Sequence, residues 1–324
     1  MTSRRTFVTA LLLGAARVPP ADAQASKPAR IGFLGNGSEA TAAAQVEPLR
    51  RGLRDLGWIE GQSFVFEFRW ADGRTERLQE LAAELVRAKA DVIVVSGPLA
   101  IAAAQQSTRT IPIVFVVLVD PVALGVARSL ARPGGNATGL ASQYEELVTK
   151  QLQLLAEAVP DLKRVAFLRH TSSSPSILKS AQSAARTLGL DVRTLEVTRE
   201  LEFDGAFKTA KSAGVGAVLV LPSPYLAAQR ARLVEAVARH RLPAFYELRF
   251  YVDEGGLMSY GPSGADLYGR SAAYVDRILK GAKPGELAIE RPARFELVIN
   301  QKTARALGLA IPKALLNRAD ALIE

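Results

Sequence analysis

Apolar residues fall along this chain in two rhythms. Short runs rich in β-branched and aromatic residues read as strands, and near-continuous ones such as Val92-Ile93-Val94-Val95 suit strands covered on both faces. They predict strands over Arg30–Leu34, Phe64–Trp70, Asp91–Val95, Ile111–Leu118 and Ala137–Ala141. A second set follows over Arg164–Arg169, Asp191–Val197, Ala217–Leu221, Leu242–Tyr246 and Gly256–Tyr260. Between them the apolar spacing turns helical. Thr75–Lys89 puts Leu78, Leu81, Ala82, Leu85 and Val86 on one stripe; Ser174–Leu188 does so with Ile177, Ala181, Ala184 and Leu188. Ser263–Lys280 carries Leu267, Ser271, Tyr274, Val275 and Ile278 in the same way. Alternating strand and helix implies parallel sheets with right-handed crossovers. Ten strands in two runs of five predict two similar Rossmann-like α/β lobes, with a first crossing near Leu140–Ser142.

The first strand runs into Gly35-Asn36-Gly37-Ser38-Glu39-Ala40, which matches the Gly-x-Gly-x-x-Ala of dinucleotide loops. Such a loop needs a helix that starts at the glycines, so that its free amides meet the pyrophosphate. Pro48 disfavours helix before it and predicts a helix from about Glu47-Pro48 to Gly57, leaving Gly35–Val46 as a loop. The acidic residue that would hold the ribose is also misplaced. Asp55 falls inside that helix, and the second strand ends only at Trp70-Ala71-Asp72. The stretch reads as a loop at the mouth of a cleft, with Asn36 and Ser38 facing a ligand, and no cofactor is expected.

One device recurs where strands end. Ser96-Gly97-Pro98, Asp120-Pro121, Ser173-Ser174-Pro175, Ser223-Pro224 and Gly261-Pro262-Ser263 each set a capping residue or glycine beside a proline. Capping alone explains each of them singly. In open α/β sheets, however, ligands bind beyond the carboxyl ends of strands, where helix tips suit a carboxylate. Two facing lobes would aim several such tips into one cleft. Hydroxyls of Ser38, Ser96, Ser142, Ser172 and Ser223 would add donors, and Asp120 or Glu247 would accept from an ammonium. Tyr246 and Tyr260 would either stack on an aromatic part of the solute or pack at the lobe edge.

Composition narrows the chemistry further. The 324 residues include no cysteine and two histidines, which removes disulfides, thiolate nucleophiles and any histidine-rich metal site. His240 ends a helix and reads as structural. His170 ends a strand beside the cleft, where binding suits it better than catalysis. There is no Gly-x-Ser-x-Gly elbow and no P-loop. The opening Ser3-Arg4-Arg5-Thr6-Phe7, the apolar run Phe7–Ala16 and Ala21-Asp22-Ala23 form an export leader over residues 1–23. Paired arginines favour the twin-arginine route over Sec, and without cysteine there is no lipid anchor. Removing three arginines and one aspartate with the leader takes the net charge from +9 to +7. The basic residues are interspersed with acidic ones, so a solvated arginine-rich surface is expected and no nucleic-acid partner.

Longer stretches carry a resemblance. They include Arg51-Gly52-Leu53-Arg54-Asp55-Leu56-Gly57-Trp58-Ile59-Glu60-Gly61-Gln62, Leu130-Ala131-Arg132-Pro133-Gly134-Gly135-Asn136-Ala137-Thr138-Gly139-Leu140 and Gly255-Gly256-Leu257-Met258-Ser259-Tyr260-Gly261-Pro262. With Tyr274–Pro284 and Ala304–Leu309, they make nearly all of the mature chain similar to the ABC-transporter substrate-binding protein family, which includes tryptophan-binding-like periplasmic proteins. The resemblance implies the type I periplasmic-binding fold, with two lobes joined by three crossing segments. It places residues 28–141 plus 259–285 in one lobe and 142–258 plus 286–324 in the other. It puts Ser96-Gly97-Pro98, Asp120, Ser142, His170–Ser174, Pro222-Ser223 and Tyr246-Glu247 on the cleft. It further implies a soluble periplasmic monomer that delivers a small solute, such as an aromatic amino acid, to a membrane permease. Arg169-His170-Thr171-Ser172 departs from the Tyr-Asn-Pro-like start of this loop in many relatives. The alternatives are an exported sensory module and an exported α/β enzyme using His170 or Asp120 as acid–base.

Overall fold

Val92 to Val95 lie fully buried in the central strand of a five-stranded parallel sheet, as their unbroken apolar run requires. The computed structural model describes residues 27–324 apart from 118, 119, 143 and 172, so the leader, Ser172 and Leu118 lie outside the described residues. The first sheet is built from β1 (Ala29–Gly35), α1 (Glu39–Asp55), β2 (Phe64–Trp70), α2 (Leu78–Arg87), β3 (Val92–Ser96), α3 (Pro98–Ser107), β4 (Ile113–Val117) and β5 (Ala137–Ala141). Its strand order is β2-β1-β3-β4-β5.

The second sheet follows with α4 (Tyr144–Ala158), β6 (Arg164–His170), α5 (Pro175–Thr187), β7 (Asp191–Val197), α6 (Phe203–Ser212), β8 (Ala217–Val220), α7 (Pro224–Ala228), α8 (Arg230–Arg239) and β9 (Ala244–Tyr246). The chain continues through α9 (Arg249–Asp253), β10 (Met258–Pro262), α10 (Gly264–Leu279), β11 (Phe295–Asn300), α11 (Gln301–Leu307), α12 (Lys313–Leu316) and β12 (Ala321–Ile323). The second sheet has seven strands, ordered β12-β11-β10-β9-β8-β6-β7. The ten expected strands are present; β11 and β12 extend the second sheet, and β11 runs antiparallel to β10.

Two expectations are corrected. The first concerns α1, which begins at Glu39 rather than near Pro48 and carries Pro48 in its interior. The run Glu39–Gln45 is rich in alanine, and that propensity outweighs one lost amide donor. The second concerns the lobe boundary. Residues 258–262 pair with β9 and β11 in the second sheet, because Met258 and Ser259 lie in register with Phe245 and Tyr246. Helix α10 then returns to the first sheet, packing Leu267, Ala272 and Val275 with Leu49 and Leu53 of α1. The two helices approach closely because Gly52 and Gly269 face each other; a Cβ on Gly52 would lie 2.7 Å from that of Ala272.

Three segments therefore cross between the sheets: 141–144, 262–264 and 290–295. They are tied to one another and to the sheets by backbone hydrogen bonds. Ala141 donates to Glu290 (3.0 Å), Glu290 to Gly139 (3.1 Å) and Ser263 to Arg294 (3.1 Å).

The first glycine of the Gly-x-Gly stretch has a structural purpose. Four aromatic residues alternate along β2, and the last, Trp70, lies across Gly35 with its ring 5.1 Å from that of Phe33. A Cβ on Gly35 would come within 2.5 Å of the indole. Gly35→Ala is expected to cost about 1–2 kcal/mol by overpacking. Because the clash is with the end of a half-buried side chain, Trp70→Ala should remove most of that penalty in a denaturant double-mutant cycle.

Candidate functional site

The crossings at Ala141 and Pro262 leave from the carboxyl ends of β5 and β10, so the gap between the lobes is bounded by strand ends of both sheets. On the far side of this gap the lobes meet again. A Cβ on Gly73, in the turn after β2, would lie 3.3 Å from that of Ala228 at the end of α7.

In the first lobe, parallel register sets Leu34 beside Val95, so the turn after β1, which holds Asn36, and the tip of α3 at Gly97 lie at the same end of the sheet. Gly97 takes φ +85°, which a glycine adopts without strain, and Pro98 occupies the first turn of α3. No side chain caps α3, which leaves its amino-terminal amides open to a ligand. Ser96 accepts from the buried Tyr268 hydroxyl at 2.7 Å. Asn36 is 9% exposed, and neither its Nδ2 nor its Oδ1 finds a partner among the described residues. A buried amide left unpaired costs free energy unless something else satisfies it. Ser38 lies one residue before α1 and is half-buried. Ser142, buried, donates its backbone N–H to Val117 at 2.9 Å.

Two of the expected proline-led caps form differently. Asp120-Pro121 starts turns and not a helix: the Asp120 carboxylate accepts from Val122 N–H at 2.8 Å. Pro262 closes β10, and the cap of α10 is Ser263, whose hydroxyl accepts from Asp266 N–H.

In the second lobe, α5 starts at Pro175 after Ser174, and α7 at Pro224 after Ser223, whose hydroxyl caps Tyr225 and Leu226. His170 stacks on Tyr225 (4.3 Å between ring centres) and its Nε2–H donates to the Thr198 carbonyl at 3.2 Å. Burial lowers its pKa, only partly offset by that hydrogen bond, so the ring is neutral near pH 7.

Tyr246 is fully buried and stacks on Tyr251 at 4.8 Å, within the lobe core. Of the two roles expected for it, its ring takes part in packing; its hydroxyl has no hydrogen-bond partner among the described residues. Tyr260 leans against Phe295 and the other core face of the same lobe. Glu247 is 2% exposed, with Oε2 unpartnered. Burial pushes its carboxyl up to about 8, offset in part by its own backbone N–H and by the nearby Tyr251.

Sequence reasoning missed Tyr251, whose buried hydroxyl interacts with the Glu247 carboxyl, and Ser259, whose buried hydroxyl has no partner among the described residues. It also missed the part Trp70 plays over Gly35. Only contacts made through the sheet single them out.

A concavity of about 540 Å³ opens elsewhere, among Val237, Leu242, Leu257, Leu307 and the ring of Tyr246. It lies by α8, α11 and β12, away from the facing strand ends. Orphaned polar atoms and helix tips locate the site better than its size does. Among the described residues no helix is long and apolar enough to cross a membrane.

The same architecture recurs in known proteins. A conserved-domain protein of Vibrio cholerae superposes with a TM-score of 0.84 at 26% identity, covering 91% of this chain and 100% of that one. An ABC domain from Streptococcus pneumonia, solved in complex with L-Trp, gives a TM-score of 0.84 at 24% identity over 92% of this chain and 100% of that one. A tyrosine-binding protein of Clostridioides difficile is 25% identical over 262 residues, 80% of this chain and 75% of that protein. The two largely parallel sheets flanked by helices are those of the type I periplasmic-binding fold. The family model for ABC transporter substrate binding proteins matches residues 38–323, and the chain belongs to that family.

Proposed function

We propose that this protein is the solute receptor of an ABC importer. In this reading it captures an amino acid or close analogue between its lobes and presents the closed form to a membrane permease. The observation that carries this reading is the buried, unpartnered amide of Asn36 at the same sheet end as the uncapped tip of α3. Open helix amides with their partial positive charge suit a carboxylate, and a free carboxamide adds a donor and an acceptor. Relatives that bind L-Trp or tyrosine support the amino-acid class. The leader expected over residues 1–23 supports a periplasmic location, and because one chain supplies both walls of the cleft, a monomer suffices for capture. Closure is a hinge motion about the three crossings.

A thermal-shift screen over amino acids, small carboxylates, purines and sugars tests this. A carboxylate-bearing compound should raise the melting temperature, and at a hundred times its Kd should add about 2.7 kcal/mol of stability. Stabilisation by neutral sugars alone would overturn the helix-tip argument.

A further inference from the structure

On the far side of the gap from the crossings, the turn after β2 of the first lobe rests on the end of α7 of the second. A Cβ on Gly73 would lie 3.3 Å from that of Ala228 and 3.9 Å from Gln229 Nε2. The first distance is shorter than the roughly 3.5–4.0 Å of an ordinary carbon contact, so a glycine is what lets the lobes approach this far. Its φ of +76° favours glycine as well, and Asp72 before it is also left-handed, at φ +53°. Backbone of this kind persists where its surroundings fix it.

What fixes it is the turn that carries Asn36. Ala71 N–H donates to the Gly35 carbonyl (3.0 Å), Asp72 N–H to that of Gly37 (3.0 Å) and Gly73 N–H to that of Asn36 (2.7 Å). The two turns of the first lobe are therefore one hydrogen-bonded platform. It carries both the unpartnered Asn36 amide and the contact with the other lobe. In the second lobe, α7 runs from its cap at Ser223, in the loop after β8, to Ala228, so the contact lies one short helix away from a strand end there too.

We propose that Gly73 and Ala228 are positioning residues of solute capture. They form a latch that holds the lobes shut, and its first-lobe half is fixed by the same turn that presents Asn36. Their part is to keep the lobes together, not to contact the solute. This rests on the receptor reading above and adds to it the contact that sets how long the solute stays.

The chain contains no cysteine, so introduced thiols report on the latch alone. In a variant with both Gly73→Cys and Ala228→Cys, the two Cβ atoms would stand close to the roughly 3.5–4.5 Å that a disulfide spans. An added oxidant should crosslink the pair within one chain, and saturating L-tryptophan or L-tyrosine should speed the reaction about 10-fold. Solute loaded before oxidation should leave at least about 10-fold more slowly than from the reduced variant, which serves as the control for strain at position 73.

Ala228→Trp is the opposite variant, a wedge between the lobes. It should leave the melting temperature of the unliganded protein unchanged and weaken solute binding about 10-fold, chiefly through faster release. A folded double-cysteine variant that does not crosslink, or a wedge variant that binds and releases solute as wild type does, would overturn the latch while leaving the receptor reading intact. Failure of wild-type protein to bind either amino acid would sink that reading instead. Crosslinking of the unliganded variant, read together with its radius of gyration before and after oxidation, would then still decide whether the lobes close on this contact.

Discussion

Gly261→Ala and Gly139→Ala are each expected to destabilise the protein by at least about 3 kcal/mol, at the top of the range for overpacking. Both glycines are buried in strands that end at a lobe crossing. A Cβ on Gly261 would overlap the Glu247 carbonyl oxygen and lie 3.1 Å from its carbon. On Gly139 it would overlap the Phe115 carbonyl oxygen and come within 2.6 Å of the Phe115 nitrogen, and φ there is +151°. In both cases the obstacle is backbone, which cannot rotate aside as Trp70 can over Gly35. Gly264→Ala is the control. It sits at the start of α10 with nothing within 4 Å, and should be neutral or stabilising by about 0.5 kcal/mol. Urea denaturation of the three variants checks the order, and a tolerated Gly261→Ala would contradict the packing described at the second crossing.

Asn36→Leu should move stability and binding in opposite directions. The leucine is close in size, and it removes an amide that is buried without a partner. Unliganded stability should rise by about 1–2 kcal/mol, because a desolvated polar group has gone. Affinity for the solute should fall about 10–100-fold, because the same amide is what the solute would satisfy. Such a trade of stability for function marks a binding residue. A structural asparagine would show the reverse: lower stability and unchanged binding. Denaturant melts and binding isotherms on the one variant separate the two.

The strands were legible because each is a short apolar run bounded by turn residues. Phe64–Trp70, Ala137–Ala141 and Asp191–Val197 match residue for residue. β11 and β12 escaped because their pairing is long-range. Phe295–Asn300 gains its order from running antiparallel to β10, and Ala321–Ile323 from lying beside β11. The start of α1 was misjudged because the preference of residues before Pro48 was weighed above the alanine-rich turn preceding it.

The first glycine of the Gly-x-Gly stretch is accounted for by the indole of Trp70, which leaves no room for a Cβ at Gly35. The residues at the strand ends could be grouped from sequence because topology brings the carboxyl ends of parallel strands together. Their pairing could not be named. That the Asn36 amide lacks a partner, while Ser96 and Ser223 have them, depends on contacts such as Tyr268 to Ser96 across 172 residues.

Solution X-ray scattering with and without solute tests the central claim most directly, using whichever of L-tryptophan and L-tyrosine raises the melting temperature more. Saturating solute should reduce the radius of gyration of the wild-type protein. Asn36→Leu should reach the same compact state only at about 10–100-fold higher concentration. Saturable binding that leaves the scattering curve unchanged would contradict closure of the two lobes around a solute held between their strand ends.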